Sequence, residues 1–220
     1  YPNIAHDYAL MNCGASMGEG YGPMIVAKKG TTIEDAKGSP IAVPGLKTSA
    51  YMGIKLCWGD LNYEVVPFDE IIPRIMDGTY LSGLIIHEGQ LTYSDYDLDV
   101  LVNLGIWWNE KTGGLPMPLG GNVVRRDLGK NVMEDITMYT KMSIEYSIAN
   151  PELALQFAKK WGRGIDDETN REFVTMYVND RTIDYREDGR EAIRQFLLEG
   201  KSIGLIENDF DVSSLQFIGA

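Results

Sequence analysis

GPMIVAKKGTTIEDAKGSPIAVPGLKTSAYMGIKLCWGDLNYEVV, residues 22–66, carries the alternation of strands and helices most plainly. Gly22-Pro23 punctuates the chain, and residues 24–27 form a short unbroken apolar run ended by Lys28 and Lys29. That is the pattern of a buried strand. Thr31 and Glu34 have the spacing of a capping box and predict a short helix, which Lys37-Gly38 closes. A second strand over 41–43 stops at Pro44-Gly45, a helix follows from Ser49 to Trp58, and a third strand is expected over 63–66. Strands alternating with helices at this spacing point to an α/β fold with a largely parallel sheet.

The same rhythm continues downstream. A helix is expected over 69–76, with Asp69 as its N-cap and Pro73 kinking or splitting it. Strands follow at 84–86, 100–102 and 122–124. Beyond residue 130 the pattern turns helical. Ala154, Phe157, Ala158 and Trp161 recur at i, i+3, i+4 and i+7, and the triplets Phe173-Met176-Tyr177 and Ile193-Phe196-Leu197 repeat the motif. Packing faces of amphipathic helices explain them most simply. The acidic stretch 207–211 reads as a solvated tail.

The sequence holds 220 residues, 44% hydrophobic and 24% charged, with a formal net charge of −12. The length suits one large domain or two lobes of about 100 residues each. The negative charge disfavours nucleic acid and an anionic membrane face as partners. A small anionic ligand is still allowed, provided that its pocket is locally electropositive. The two cysteines, Cys13 and Cys57, sit among apolar or small residues and read as free thiols, which fits a reducing cytoplasm. No run of about 18 apolar residues predicts a transmembrane helix, and no signal-peptide pattern is visible.

Three features carry chemistry. GASMGEGYG, residues 14–22, has four glycines but neither the spacing nor the following helix of a dinucleotide site. A flexible connection between lobes, or a wall where a ligand meets backbone, suits it better. In IAVPGLKTSA, residues 41–50, Thr48 and Ser49 stand at a helix start. They are either ordinary caps or, with free N–H groups beside them at the carboxyl end of a strand, an anion site. His87, one of two histidines, follows the apolar run 84–86. It is either a hydrogen-bonded core-edge residue or a proton-transfer group, since histidine titrates near neutral pH. Glu88 would point to the opposite face of an extended strand and so would not orient it. There is no G-x-S-x-G, H-E-x-x-H, Walker A or C-x-x-C pattern, which disfavours a metal or nucleotide enzyme. A second Gly/Pro-rich stretch, GGLPMPLGG at 113–121, pairs with the first to delimit an inserted lobe. The expected division is a large lobe of residues 1–26 and 119–220 and a small lobe of residues 27–118.

Several strings together are similar to one enzyme family. GASMGEGYGPMIVAK (14–28), IAVPGLKTSAY (41–51), VVPFDEIIPRIMDG (65–78), GLIIHEGQLTY (83–93), GIWWNEKTGGLPMPLGGNVVRRDLG (105–129) and MYVNDRTIDY (176–185) resemble the 1,4-dihydroxy-6-naphthoate synthases of the futalosine route to menaquinone. The resemblance implies a two-lobe fold of the type 2 periplasmic-binding-protein kind, with the ligand in the cleft between lobes. It implies a lyase that converts cyclic dehypoxanthinylfutalosine to 1,4-dihydroxy-6-naphthoate without metal or organic cofactor. It makes His87 the catalytic proton-transfer residue and Thr48, Ser49 and Ala50 the carboxylate-binding turn. Lys47, Gly20 and Gly120 join them as expected substrate-binding positions. The partner implied is a small carboxylated aromatic substrate, and a homodimer is an open alternative to a monomer. Family members open with a strand and an Asp-rich loop ahead of the glycine segment, so the large lobe is expected to be incomplete on its N-terminal side. The alternatives are a solute-binding protein of the same fold and the sister enzyme chorismate dehydratase.

Overall fold

A computed structural model describes residues 1–87, 89–160 and 167–219, and the side chains of Asp167, Thr169, Asn170 and Phe173 are not among those described. The chain forms two compact units, Tyr1–Met17 with Pro118–Ala220, and Gly18–Met117. The first strands are β1 (Tyr8–Met11) and β2 (Ser16–Gly18). The Gly18–Met117 unit then runs β3 (Met24–Lys28), α1 (Ile33–Gly38), β4 (Ile41–Val43), α2 (Ser49–Trp58), β5 (Tyr63–Val65), α3 (Ile71–Met76), β6 (Ser82–Ile85), α4 (Gly89–Thr92), β7 (Leu98–Asn103) and α5 (Leu104–Thr112). After β8 (Met117–Gly120), the chain returns through β9 (Val123–Arg125) to α6 (Lys130–Ala149), α7 (Pro151–Ala158), α8 (Asp167–Tyr177), α9 (Asp180–Ile183), α10 (Arg186–Ser202) and β10 (Phe217–Ile218). Among the described residues no helix is long and apolar enough to cross a membrane.

The Gly18–Met117 unit is built on a five-stranded sheet of order β5-β4-β6-β3-β7. β4 pairs in parallel with β5 and with β6, whereas β3 is antiparallel to both β6 and β7. Four strands therefore run one way and β3 alone runs against them. Ile25, Val26 and Ala27 are fully buried, as expected for a central strand covered on both faces. Residues 18–26 cluster with this unit, and β3, which starts at Met24, lies between β6 and β7.

Helices pack on the sheet where glycine permits. A Cβ built at Gly83 in β6 would lie 2.4 Å from Cγ2 of Ile71, so α3 sits directly on the strand. Val26, Ala42, Val66, Ile71, Ile72, Ile75, Tyr80, Ile85 and Leu98 form the resulting core. The closest approach involves backbone alone. A Cβ at Gly105, in the first turn of α5, would lie 1.9 Å from the Tyr21 carbonyl oxygen, and one at Gly22 would lie 2.8 Å from the Gly105 nitrogen. The Leu104 N–H donates to the Pro23 carbonyl at 2.9 Å, and the Asn103 side chain caps the N–H groups of Gly105 and Ile106. α5 ends at Gly113 in the left-handed conformation (φ 70°), and buried Trp108 donates to the Pro116 carbonyl at 3.0 Å. The first half of the 113–121 stretch is thus the cap and return of a helix.

In the other unit, β1 is flanked by antiparallel β9 and parallel β10. Ala9, Met11, Cys13, Val124 and Met133 form one cluster, and Ala15, Met17 and Tyr185 another. Burial pushes the Tyr185 phenol well above its ordinary value, and its ring meets Phe217 edge-on at 5.8 Å. Arg181 is buried, donating to the Tyr185 carbonyl at 3.0 Å and to both carboxylate oxygens of Asp188, one of them at 2.6 Å. Both cysteines are free thiols, Cys13 buried and Cys57 partly so. Burial pushes the Cys57 thiol up to about 11.

Several local expectations are corrected. The capping box uses Thr32 and Asp35, one residue later than Thr31 and Glu34, because the Thr31 N–H closes a turn onto the Lys28 carbonyl. Asp69 is not an N-cap. It lies in a 3₁₀ turn, Phe68–Glu70, that precedes α3, and Pro73 occupies the first turn of α3, where a missing N–H costs little. The strand expected over 84–86 ends at Ile85. In α7 the buried residue is Leu155, while Phe157 is 63% exposed and lies beneath the Lys160 ammonium. Trp161 lies outside the described residues. Phe196 and Leu197 do form the buried face of α10. Residues 207–211 are not a tail, since the chain continues into β10 and the Lys201 ammonium holds the Phe210 carbonyl at 2.8 Å.

Two stability measurements follow from these contacts. Gly105→Ala should lower stability by about 1–3 kcal/mol through forced separation of backbone from backbone, whereas Gly38→Ala, which meets open space, should stay within about 0.5 kcal/mol. Urea denaturation of both variants checks this. The Arg181 guanidinium holds the Asp188 carboxyl below its ordinary range. That contribution is complete above the unfolded carboxylate value of about 3.9 and is lost as pH falls through the lower folded value. Asp188→Asn should therefore cost about 1–3 kcal/mol at pH 7, discounted because Asp188 is half exposed. The gap between wild type and variant should hold down to about pH 5 and narrow below about pH 4 in denaturation series.

Candidate active site

Register places the expected residues within the Gly18–Met117 unit. β4 and β6 lie side by side with Ile41 opposite Ser82 and Ala42 opposite Gly83. The chain leaving β4 and the chain leaving β6 therefore emerge as neighbours, one strand spacing of about 4.8 Å apart. The turn that leads to Lys47, Thr48, Ser49 and Ala50 and the turn that carries His87 share this edge. Because Met24 opens β3 opposite Ile85 and Asn103, the Gly20–Pro23 approach and the start of α5 arrive at the same edge. Carboxyl ends of parallel strands are where α/β sheets bind ligands.

Thr48 is the N-cap of α2. Its hydroxyl accepts from the Tyr51 N–H at 3.0 Å and donates to the Gly45 carbonyl at 2.8 Å. The capping role is thus real, and the Thr48 oxygen is engaged within its own turn. The Met52 N–H is taken by the Thr48 carbonyl, while the Ala50 N–H makes no hydrogen bond among the described residues. Ser49 is partly buried at the first helical position, and Lys47 is exposed just ahead of the cap. An anion set here would meet helix N–H groups and the positive end of a ten-residue helix, with a cation beside it. Tyr51 is buried beneath this turn with its ring edge-on to Tyr63 at 5.2 Å. Burial, then the Tyr63 hydrogen bond, push its phenol far above the ordinary range, so it stays neutral there.

His87 sits two residues beyond β6 and is exposed. Its backbone is left-handed, with φ 56°, and its carbonyl accepts from the Gln90 N–H at 3.1 Å to start α4. The imidazole lies against the Phe68 ring, centroids 4.8 Å apart and planes tilted by 60°. Since His87 is not in an extended strand, the alternation used to place Glu88 on the opposite face does not apply, and Glu88 itself lies outside the described residues.

Gly20 precedes β3 in a left-handed conformation (φ 78°) with open space where a side chain would be. Gly120 belongs to the other unit, exposed at the end of β8, and likewise meets open space. Phe68 and Gly105 were not singled out from the sequence. The first is signalled by an aromatic residue directly after a strand-ending proline, the second by a glycine two residues after a strand-ending asparagine.

The chain matches the family model described as menaquinone biosynthesis over residues 1–201. It is 35% identical over 205 residues to a Thermus thermophilus protein named 1,4-dihydroxy-6-naphthoate synthase, covering 93% of this chain and 74% of the relative. An Archaeoglobus fulgidus protein solved by X-ray crystallography is 40% identical, with a TM-score of 0.87 over 94% of this chain and 76% of that one. The periplasmic aliphatic sulphonate binding protein of Escherichia coli shares the fold, with a TM-score of 0.63 at 11% identity over 96% of this chain and 73% of that one. On these grounds the chain belongs to the menaquinone-biosynthesis family.

Proposed function

We propose that this chain is a lyase that makes 1,4-dihydroxy-6-naphthoate, the product for which its Thermus relative is named, from cyclic dehypoxanthinylfutalosine. The observation that carries the reading is the shared edge of β4 and β6. A helix start, whose N–H groups suit an anion, and a histidine stand at that edge after adjacent strands, which supports the reading. The helix start at Ser49 and Ala50, with Lys47 beside it, receives the substrate carboxylate. His87 then removes a proton from the held substrate as the leaving fragment departs, and returns a proton later in the sequence. Gly20, with open space where a side chain would be, allows ligand to approach backbone within the Gly18–Met117 unit. A biosynthetic role of this kind fits a cytoplasmic location. The solute-receptor alternative rests on a fold likeness at 11% identity, which carries the architecture and no activity. Chorismate dehydratase is a weaker alternative, because the Thermus relative is named for the naphthoate synthase.

Kinetics with the cyclic intermediate, product followed by mass, test the two roles separately. His87→Asn keeps a residue that tolerates a left-handed φ and should lower kcat by about 10² or more with KM little changed. Near-normal turnover would remove His87 from the chemistry. Lys47→Ala should raise KM about 3- to 10-fold and leave kcat within about threefold, the signature of a binding contact alone. A fall in kcat with KM unchanged would contradict the carboxylate role.

A further inference from the structure

We propose that Phe68 is a positioning residue whose ring holds the His87 imidazole across the end of β4, over the turn that begins α2. The inference rests on the reading of His87 as the proton-transfer group. Phe68 follows β5, and His87 follows β6. These strands are not neighbours, for β4 lies between them. Two strand spacings separate them by about 10 Å. Rings with centroids 4.8 Å apart can therefore meet only by reaching over the strand between, just where β4 gives way to residues 44–48.

Both arms of this bridge are set by backbone. On the β5 side, the Val66 N–H donates to the Val43 carbonyl at 2.9 Å, which keeps the chain beside β4 to its last residue. Pro67 then fixes the turn, and Phe68 opens a 3₁₀ turn. On the β6 side, His87 has one of two positive φ angles outside glycine among the described residues, the other being Arg186. A left-handed histidine turns the chain sharply out of the strand direction, and such conformations persist where their surroundings hold them. An exposed imidazole on a short turn has several rotamers, and a tilted ring contact at this distance selects among them. A proton-transfer group needs that restriction, because its geometry must be set before the substrate arrives.

The test exploits the two-histidine composition, His6 and His87. Proton NMR of the whole chain then shows only two imidazoles, and His87→Asn assigns them. In Phe68→Leu, which keeps apolar bulk but removes the ring, the His87 ring protons should move towards free-histidine positions while those of His6 stay. The same variant should lose about tenfold or more in kcat for the cyclic intermediate at unchanged KM. Phe68→Tyr should recover both the shifts and most of kcat. In a His87→Asn background, Phe68→Leu should cause no further loss. His87 resonances that do not move in Phe68→Leu overturn the proposal, as does an equal fall in kcat in both backgrounds. Unchanged turnover in His87→Asn alone would instead overturn the functional reading, a separate result in the same data set.

Discussion

Two backbone segments, Tyr21-Gly22 and Leu104-Gly105, approach so closely that neither glycine can carry a side chain without displacing main-chain atoms. The Leu104 N–H to Pro23 carbonyl bond closes the contact. These are the residues on either side of the β3–β7 pair: one segment leads into β3, the other leaves β7 as α5. Without the close approach, α5 could not start where it does, and β3 could not enter between β6 and β7 at that height. The reversed strand and the edge that it shares with the candidate site both depend on it.

That edge explains why residues distant in sequence become one chemical neighbourhood. Four strands point towards it and one leaves from it, so each connection there starts or ends at the same level. β4 contributes a helix start with N–H groups, β5 an aromatic ring, and β6 a histidine in a strained turn. None of these is unusual alone. Together they bring the positive end of a helix dipole and an imidazole to one edge of the sheet, and the ring contact ties the outer strand end to the inner one.

Much of this was legible in the residues. Short apolar runs bounded by Pro or Lys located β3 and β4, one bounded by Asp99 and Asn103 located β7, and the span of α2 follows from Thr48 and the turn before it. Where the structure departs from a local signal, a nearby competitor takes its place. Thr32 displaced Thr31 because the earlier N–H was needed in a turn, and a 3₁₀ turn displaced Asp69 as a cap. Helical spacing marked Phe157 as a packing residue, yet it is exposed, because period alone does not say which face of a helix meets the core. The conformation of His87 was likewise not readable: an apolar run predicts a strand, but where that strand turns left-handed is decided by its neighbours.

Local sequence settles which residue types stand at each element end, a cation and hydroxyls at a helix start and a histidine after an apolar strand. It also settles the α/β alternation, since both follow from local periodicity and short-range hydrogen bonding. Tertiary structure sets strand order, the reversal of β3, the clustering of residues 18–26 with the unit of the five-stranded sheet, and the meeting of Phe68 with His87. Those depend on contacts between segments far apart in the chain, and a local pattern holds no information about which strand will lie beside which.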